Sequence, residues 1–95
     1  MITIVGSFLL ARSGSLPMKL TAVFARNLRL CRQASGLSQE RLAEYAGLDR
    51  NYIGKLEREE SSPTLETVEA LSLAMQIDAE QLIQRHRSQD GTTKR

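Results

Sequence analysis

Ninety-five residues, 41% of them hydrophobic but with only two Phe, two Tyr and no Trp, suit one small domain whose thin core is built from Leu, Ile, Val and Ala, and exclude a sizeable catalytic cavity. The net charge of +2 does not by itself identify a polyanionic partner. A single Cys and a single His exclude an intrachain disulfide and leave no metal site to assemble, so no metal or other cofactor is expected and a reducing cytoplasm is the default location. No apolar run approaches the roughly 18 residues that span a bilayer, so no membrane partner is expected.

Charge is segregated along the chain. Residues 1–58 carry nine basic and four acidic side chains, residues 59–83 none and six, and the last twelve four and one. That distribution either describes an ordinary solvated surface or gives the protein a positive face with a negative one behind it.

The opening run MITIVGSFLLARSGSLP is apolar and β-branched before it breaks at Ser13-Gly14-Ser15 and Pro17. Its first charge, Arg12, follows the apolar stretch, the reverse of a secretory signal. Three readings stand: a loose extension ahead of a natural start at Met18, which is favoured, an arm that crosses a dimer, or a cover for apolar surface in its own subunit. Residues 1–18 are therefore set apart from a domain over residues 19–84.

A first helix is expected from about Thr21 to Ala34, because Phe24, Leu28 and Cys31 recur at helical spacing, and Gly36 ends it. Arg26, Arg29 and Arg32 share its flank, either as a solvated face or with Arg26 or Arg29 contacting phosphates. A second helix starts at the N-cap Ser38, buries Leu42 and Ala43, and stops before Gly47, where the turn calls for φ above zero. A third is expected to be capped by Asp49. It turns Ile53 and Leu56 inward and Arg50, Asn51 and Lys55 outward, with Tyr52 between the two faces. Arg and Lys match guanine O6 and N7, and Asn matches adenine N6 and N7, so this outward set suits a DNA major groove. Tyr52 either adds a contact to a thymine methyl or a phosphate, or packs.

Thr64 is expected to cap a fourth helix, with Leu65, Val68, Leu71, Met75 and Ile77 in the core. Asp78 and Gln81 then read as a capping box for a fifth around Ala79, Leu82 and Ile83. Leu73 and Ile83 are candidates for an exposed apolar patch. Residues 85–95 form a basic tail in which His86 faces solvent.

The segments Ser38-Gln39-Glu40-x-Leu42-Ala43, Ala46-Gly47-Leu48-Asp49 and Tyr52-Ile53-x-x-Leu56-Glu57-Arg58 closely resemble the Xre-type helix-turn-helix family, which includes lambda-type repressors and Cro proteins. The run LDRNYIGKLER looks most like the controller proteins of restriction-modification systems, and the likeness spans Phe24 to Leu82. It implies an all-α, five-helix, lambda-repressor-like DNA-binding domain. It also implies an ion pair between Arg32 and Glu57, a backbone-phosphate contact from Gln39, which its place at a helix N-terminus favours independently, and a two-fold contact near the fifth helix. Ser38, Arg58 and Ser62 join Gln39 as candidate phosphate contacts. Two departures stand out. Cys31 takes a place the family usually gives to Leu. Glu59 stands about where the family commonly has glycine, beside Glu60, which puts two carboxylates in a loop expected to run near phosphates.

The leading functional reading is a sequence-specific transcription regulator that binds double-stranded DNA as a homodimer at a palindromic operator. The alternative is an antitoxin or other protein-binding partner that grips its target through the N-terminal segment or the tail. An enzyme is not supported, because no nucleophile, base and orienting group can be assembled from these side chains.

Overall fold

The computed structural model describes residues 18–85, which form five helices and no strand. They are α1 (Leu20–Ala34), α2 (Gln39–Ala46), α3 (Arg50–Glu57), α4 (Leu65–Met75) and α5 (Glu80–Ile83). The expectations for the N-terminal segment, the basic tail and His86 fall outside these residues.

α1 packs on α5 and α3, while α2 packs on α3 and α4. One core joins all five helices: Phe24 and Leu28 from α1, Leu42 and Ala43 from α2, Ile53 and Leu56 from α3, Val68, Leu71 and Met75 from α4, and Leu82 from α5. Leu65, Cys31 and Ile77 depart from the core expected for them. Leu65 is 85% exposed, because the first residue of α4 points away from the bundle. Ile83 faces solvent, as does Leu73, in keeping with the exposed apolar residues expected there, and Ala79 is exposed too. Cys31 and Ile77 are only half-buried, packed against the edge of the core.

The helix ends share one device. After α1, the Leu37 amide donates to the Arg32 carbonyl at 3.1 Å and the Gly36 amide to the Gln33 carbonyl at 3.0 Å. This is a Schellman turn, which needs a left-handed residue, and Gly36 supplies it at φ +73. Gly47, at φ +72, does the same after α2. α3 and α4 close identically but with side-chain-bearing residues in the left-handed position, Glu59 (φ 62) and Gln76 (φ 58). There the Cβ crowds the following carbonyl.

At the N-terminal ends, Ser38 and Thr64 cap as expected, their hydroxyl oxygens accepting from the amides of Arg41 and Thr67 at 3.0 Å each. Asp49 holds the cap position of α3 without a side-chain bond, and the Tyr52 amide goes instead to the Asp49 carbonyl at 3.0 Å. The capping box ahead of α5 does not form either. Ala79 occupies the cap in helical conformation, and Gln81 and Leu82 donate to the carbonyls of Asp78 and Ala79 in a tight three-residue register.

α5 is only four residues long and is held from outside. Asn27, 1% exposed, lies between Phe24 and Leu28 on the buried stripe of α1. Its Nδ2 donates to the carbonyls of Leu82 at 3.2 Å and Gln84 at 2.9 Å, meeting acceptors that a short helix leaves open at its end.

Candidate nucleic-acid interface

α2 and α3 are joined by the turn at Gly47, with Leu48 packed against the core beneath it. The inward face of α3 is buried through Ile53, Leu56 and Glu57, while Gly54 is covered by the Arg58 side chain. Arg50, Asn51 and Lys55 are exposed on the other side. Among the described residues no side-chain hydrogen bond or ion pair engages these three, so their donors face solvent where a groove would meet them.

The far end of α3 is fixed by a buried charge cluster. The Glu57 carboxylate is 3% exposed, and Arg32 meets it with both arms of its fork, Nε to Oε2 at 2.6 Å and Nη2 to Oε1 at 3.1 Å. The remaining Arg32 nitrogen, Nη1, donates to the Leu37 carbonyl at 2.9 Å. Gln39 Nε2 adds a bond to Glu57 Oε1 at 3.0 Å. Arg29 donates through Nη2 to the Glu57 carbonyl at 3.3 Å, and its Nε lies 3.9 Å from Oε1. A carboxylate with this many donors does not suffer the full penalty of burial. The cluster therefore joins α1, the start of α2 and the end of α3.

Gln39 sits in this cluster rather than standing apart as a phosphate ligand. One amide proton goes to Glu57, and its second remains to reach outward. The Ser38 oxygen accepts the cap bond, so its hydroxyl proton is likewise still available. Tyr52 is half-buried against the core with its hydroxyl 3.5 Å from Thr67 Oγ1, and Thr67 is itself held by Thr64. Its ring packs between α3 and the start of α4. Arg58 closes α3 and pairs with Glu60, Nε to Oε2 at 2.9 Å and Nη2 to Oε1 at 3.2 Å. Ser62 is exposed in the loop that follows. Asn27 and the left-handed Gln76 were not singled out in the sequence. For Asn27 the available signal was a polar residue inside an apolar stripe; for Gln76 there was none.

Two short helices around a glycine turn, the second with an exposed polar face and a clamped rear, define a helix-turn-helix DNA-binding domain. The helix-turn-helix family HTH_3 matches residues 28–82, and the chain belongs to this family of transcriptional regulators. It is 41% identical over 68 residues to the control protein C.SmaI of Serratia marcescens, covering 72% of this chain and 81% of that protein. The restriction-modification controller protein C.AhdI from Aeromonas hydrophila superposes with a TM-score of 0.64 at 40% identity, over 65% of this chain and 94% of that one. The hypothetical transcription factor NHTF from Neisseria superposes with a TM-score of 0.71 at 34% identity, over 83% and 98%. Among the described residues no helix is long and apolar enough to cross a membrane.

Proposed function

We propose that the protein regulates transcription in the cytoplasm as a homodimer on a palindromic operator, each subunit placing α3 in a major groove. Arg50, Asn51 and Lys55 read bases, with Tyr52 reaching the groove only at its ring edge. Ser38, Gln39, Arg58 and Ser62 contact backbone phosphates and set register without carrying sequence information. The observation that carries this reading is the exposed, unengaged Arg50, Asn51 and Lys55 on a helix whose other end is anchored by Glu57.

An apolar surface supports pairing of two subunits. A mostly apolar groove of about 180 Å³ brings together the exposed Leu20, Leu65 and Ile83 over Phe24 and Val68, with Thr21, Ser62 and Pro63 at its edge. Exposed leucines grouped in this way suit a protein contact better than solvent. Similarity to the control protein C.SmaI and the controller C.AhdI supports a target among restriction-modification genes.

Selection of bound sites from random duplex DNA at fixed salt tests the proposal. The expected product is two related half-sites with centres separated by roughly 34 Å, one helical turn. Recovery of single half-sites contradicts the dimer, and recovery of no consensus contradicts specific reading.

A further inference from the structure

The end of α3 carries an arginine held back by its own chain. Because Glu59 takes the left-handed turn, Glu60 becomes the residue that closes it, and its amide is fixed to the Lys55 carbonyl at 2.8 Å. That anchored backbone aims the Glu60 carboxylate at Arg58, and the two groups meet fork to fork at 2.9 and 3.2 Å. Position 54 makes room for the pose. A Cβ on Gly54 would stand 3.0 Å from Arg58 Nη1, so the guanidinium lies across the bare backbone of Gly54. Residues 50, 54 and 58 follow one another at four-residue spacing along the helix. The held arginine therefore lies on the stripe that begins at Arg50, beside the surface proposed to face DNA.

We propose that Glu60 attenuates DNA binding, by occupying the Arg58 guanidinium that would otherwise take a backbone phosphate. This rests on the regulator reading above and deepens it, naming a residue that sets affinity and not sequence. Both side chains are about half exposed, at 56% and 52%, so the pair is screened by water and can be exchanged for a phosphate. The exchange leaves the Glu60 carboxylate unpaired beside a polyanion. It also means that the free protein holds one ready cation fewer than its sequence suggests. The Glu60 carboxylate hydrogen-bonds only to Arg58 and to no base-reading side chain, so the attenuation is expected to be similar on every duplex. Arg58, through its hydrogen bonds and then its charge, holds the Glu60 carboxyl below the usual carboxylate range, with a smaller contribution from the Lys55 charge.

The test is fluorescence anisotropy of operator and random duplexes over a salt series with wild type, Glu60→Gln, Arg58→Ala and the double variant, each checked for an unchanged melting temperature. Glu60→Gln is expected to bind both duplexes several-fold tighter at low salt. Wild type makes the Arg58 contact only in part, against competition from Glu60, so the variant gains at most one phosphate contact. The salt slope therefore steepens by up to about 0.9, and the gain shrinks by up to roughly threefold between about 50 and about 200 mM. In the Arg58→Ala background the same substitution is expected to give a much smaller gain. Equal binding by wild type and Glu60→Gln overturns the inference while leaving the regulator reading intact. So does a gain that survives in full without Arg58, since Glu60 would then act by repulsion alone. If neither wild type nor Glu60→Gln bound any duplex, the regulator reading itself would fall.

Discussion

Arg32 and Glu57, 25 positions apart, meet through two hydrogen bonds of 2.6 and 3.1 Å at a carboxylate that is 3% exposed. This contact makes the angle of the recognition helix a property of α1. Glu57→Ala leaves the mostly buried Arg32 charge without its partner, a loss of about 3 kcal/mol or more. Chemical denaturation is expected to show that loss, while the rank order of operator variants bound at low temperature stays the same. Retained stability with an altered base preference would place Glu57 in recognition instead.

Asn27 is expected to matter for the opposite end of the bundle. Asn27→Ala removes the donor shared by the Leu82 and Gln84 carbonyls and is expected to destabilise by about 1 to 3 kcal/mol. Hydrogen exchange locates the effect: the amides of α5 lose protection first, since four residues do not sustain a helix unaided. Protection lost evenly across the domain would show that Asn27 does no more than fill the core.

Left-handed helix ends with and without glycine predict changes of opposite sign. Gln76→Gly relieves Cβ crowding at φ 58 at some cost in chain entropy, for a net gain of about 0.5 to 1 kcal/mol. Gly47→Ala introduces the same crowding and is expected to lose about 1 to 2 kcal/mol, although nothing lies within 4 Å of the added Cβ. Thermal unfolding of the two variants reads both signs, and a destabilised Gln76→Gly would mean that the Gln side chain contributes more than the strain removes.

These two positions mark how far the sequence was legible. Gly36 and Gly47 announced their turns because glycine is the ordinary way to reach positive φ. Glu59 could be placed only through the family's usual glycine, and Gln76 carried no signal, since the Schellman bonds that close its turn run between local backbone groups that every residue type carries. The buried stripes of Phe24 and Leu28, Leu42 and Ala43, and Ile53 and Leu56 followed from spacing alone. Leu65 did not, because at the end of a helix a difference of one position turns a side chain from core to solvent. Asp49 and Asp78 had the right residue type for caps, yet their neighbours' amides found backbone carbonyls first. Within the interface, exposure of Arg50, Asn51 and Lys55 was readable from helical phase. The engagement of Gln39 by Glu57 and of Arg58 by Glu60 depends on side-chain conformations that no spacing encodes.

Cys31 gives a pH dependence of definite sign. Burial pushes its thiol above the ordinary value, so the folded state favours the protonated form. The resulting stability is fully present below the unfolded thiol's pKa and is lost as pH rises through the folded one. Wild type is therefore expected to lose more stability than Cys31→Ala between about pH 8 and about pH 10, where an unperturbed thiol near 8.5 titrates. Parallel losses in the two proteins would show that Cys31 is not the group responsible.

The central claim, that Arg50, Asn51 and Lys55 distinguish one DNA sequence from another, is tested most directly by the ratio of affinities for the selected operator and a scrambled duplex. The measurement compares wild type with Arg50→Ala/Asn51→Ala/Lys55→Ala at one salt concentration. With each good base contact contributing about 1 to 3 kcal/mol of discrimination, the ratio is expected to fall at least about a hundredfold, toward unity, with the melting temperature unchanged. A triple variant that folds normally and still prefers the operator by the wild-type ratio would contradict the account.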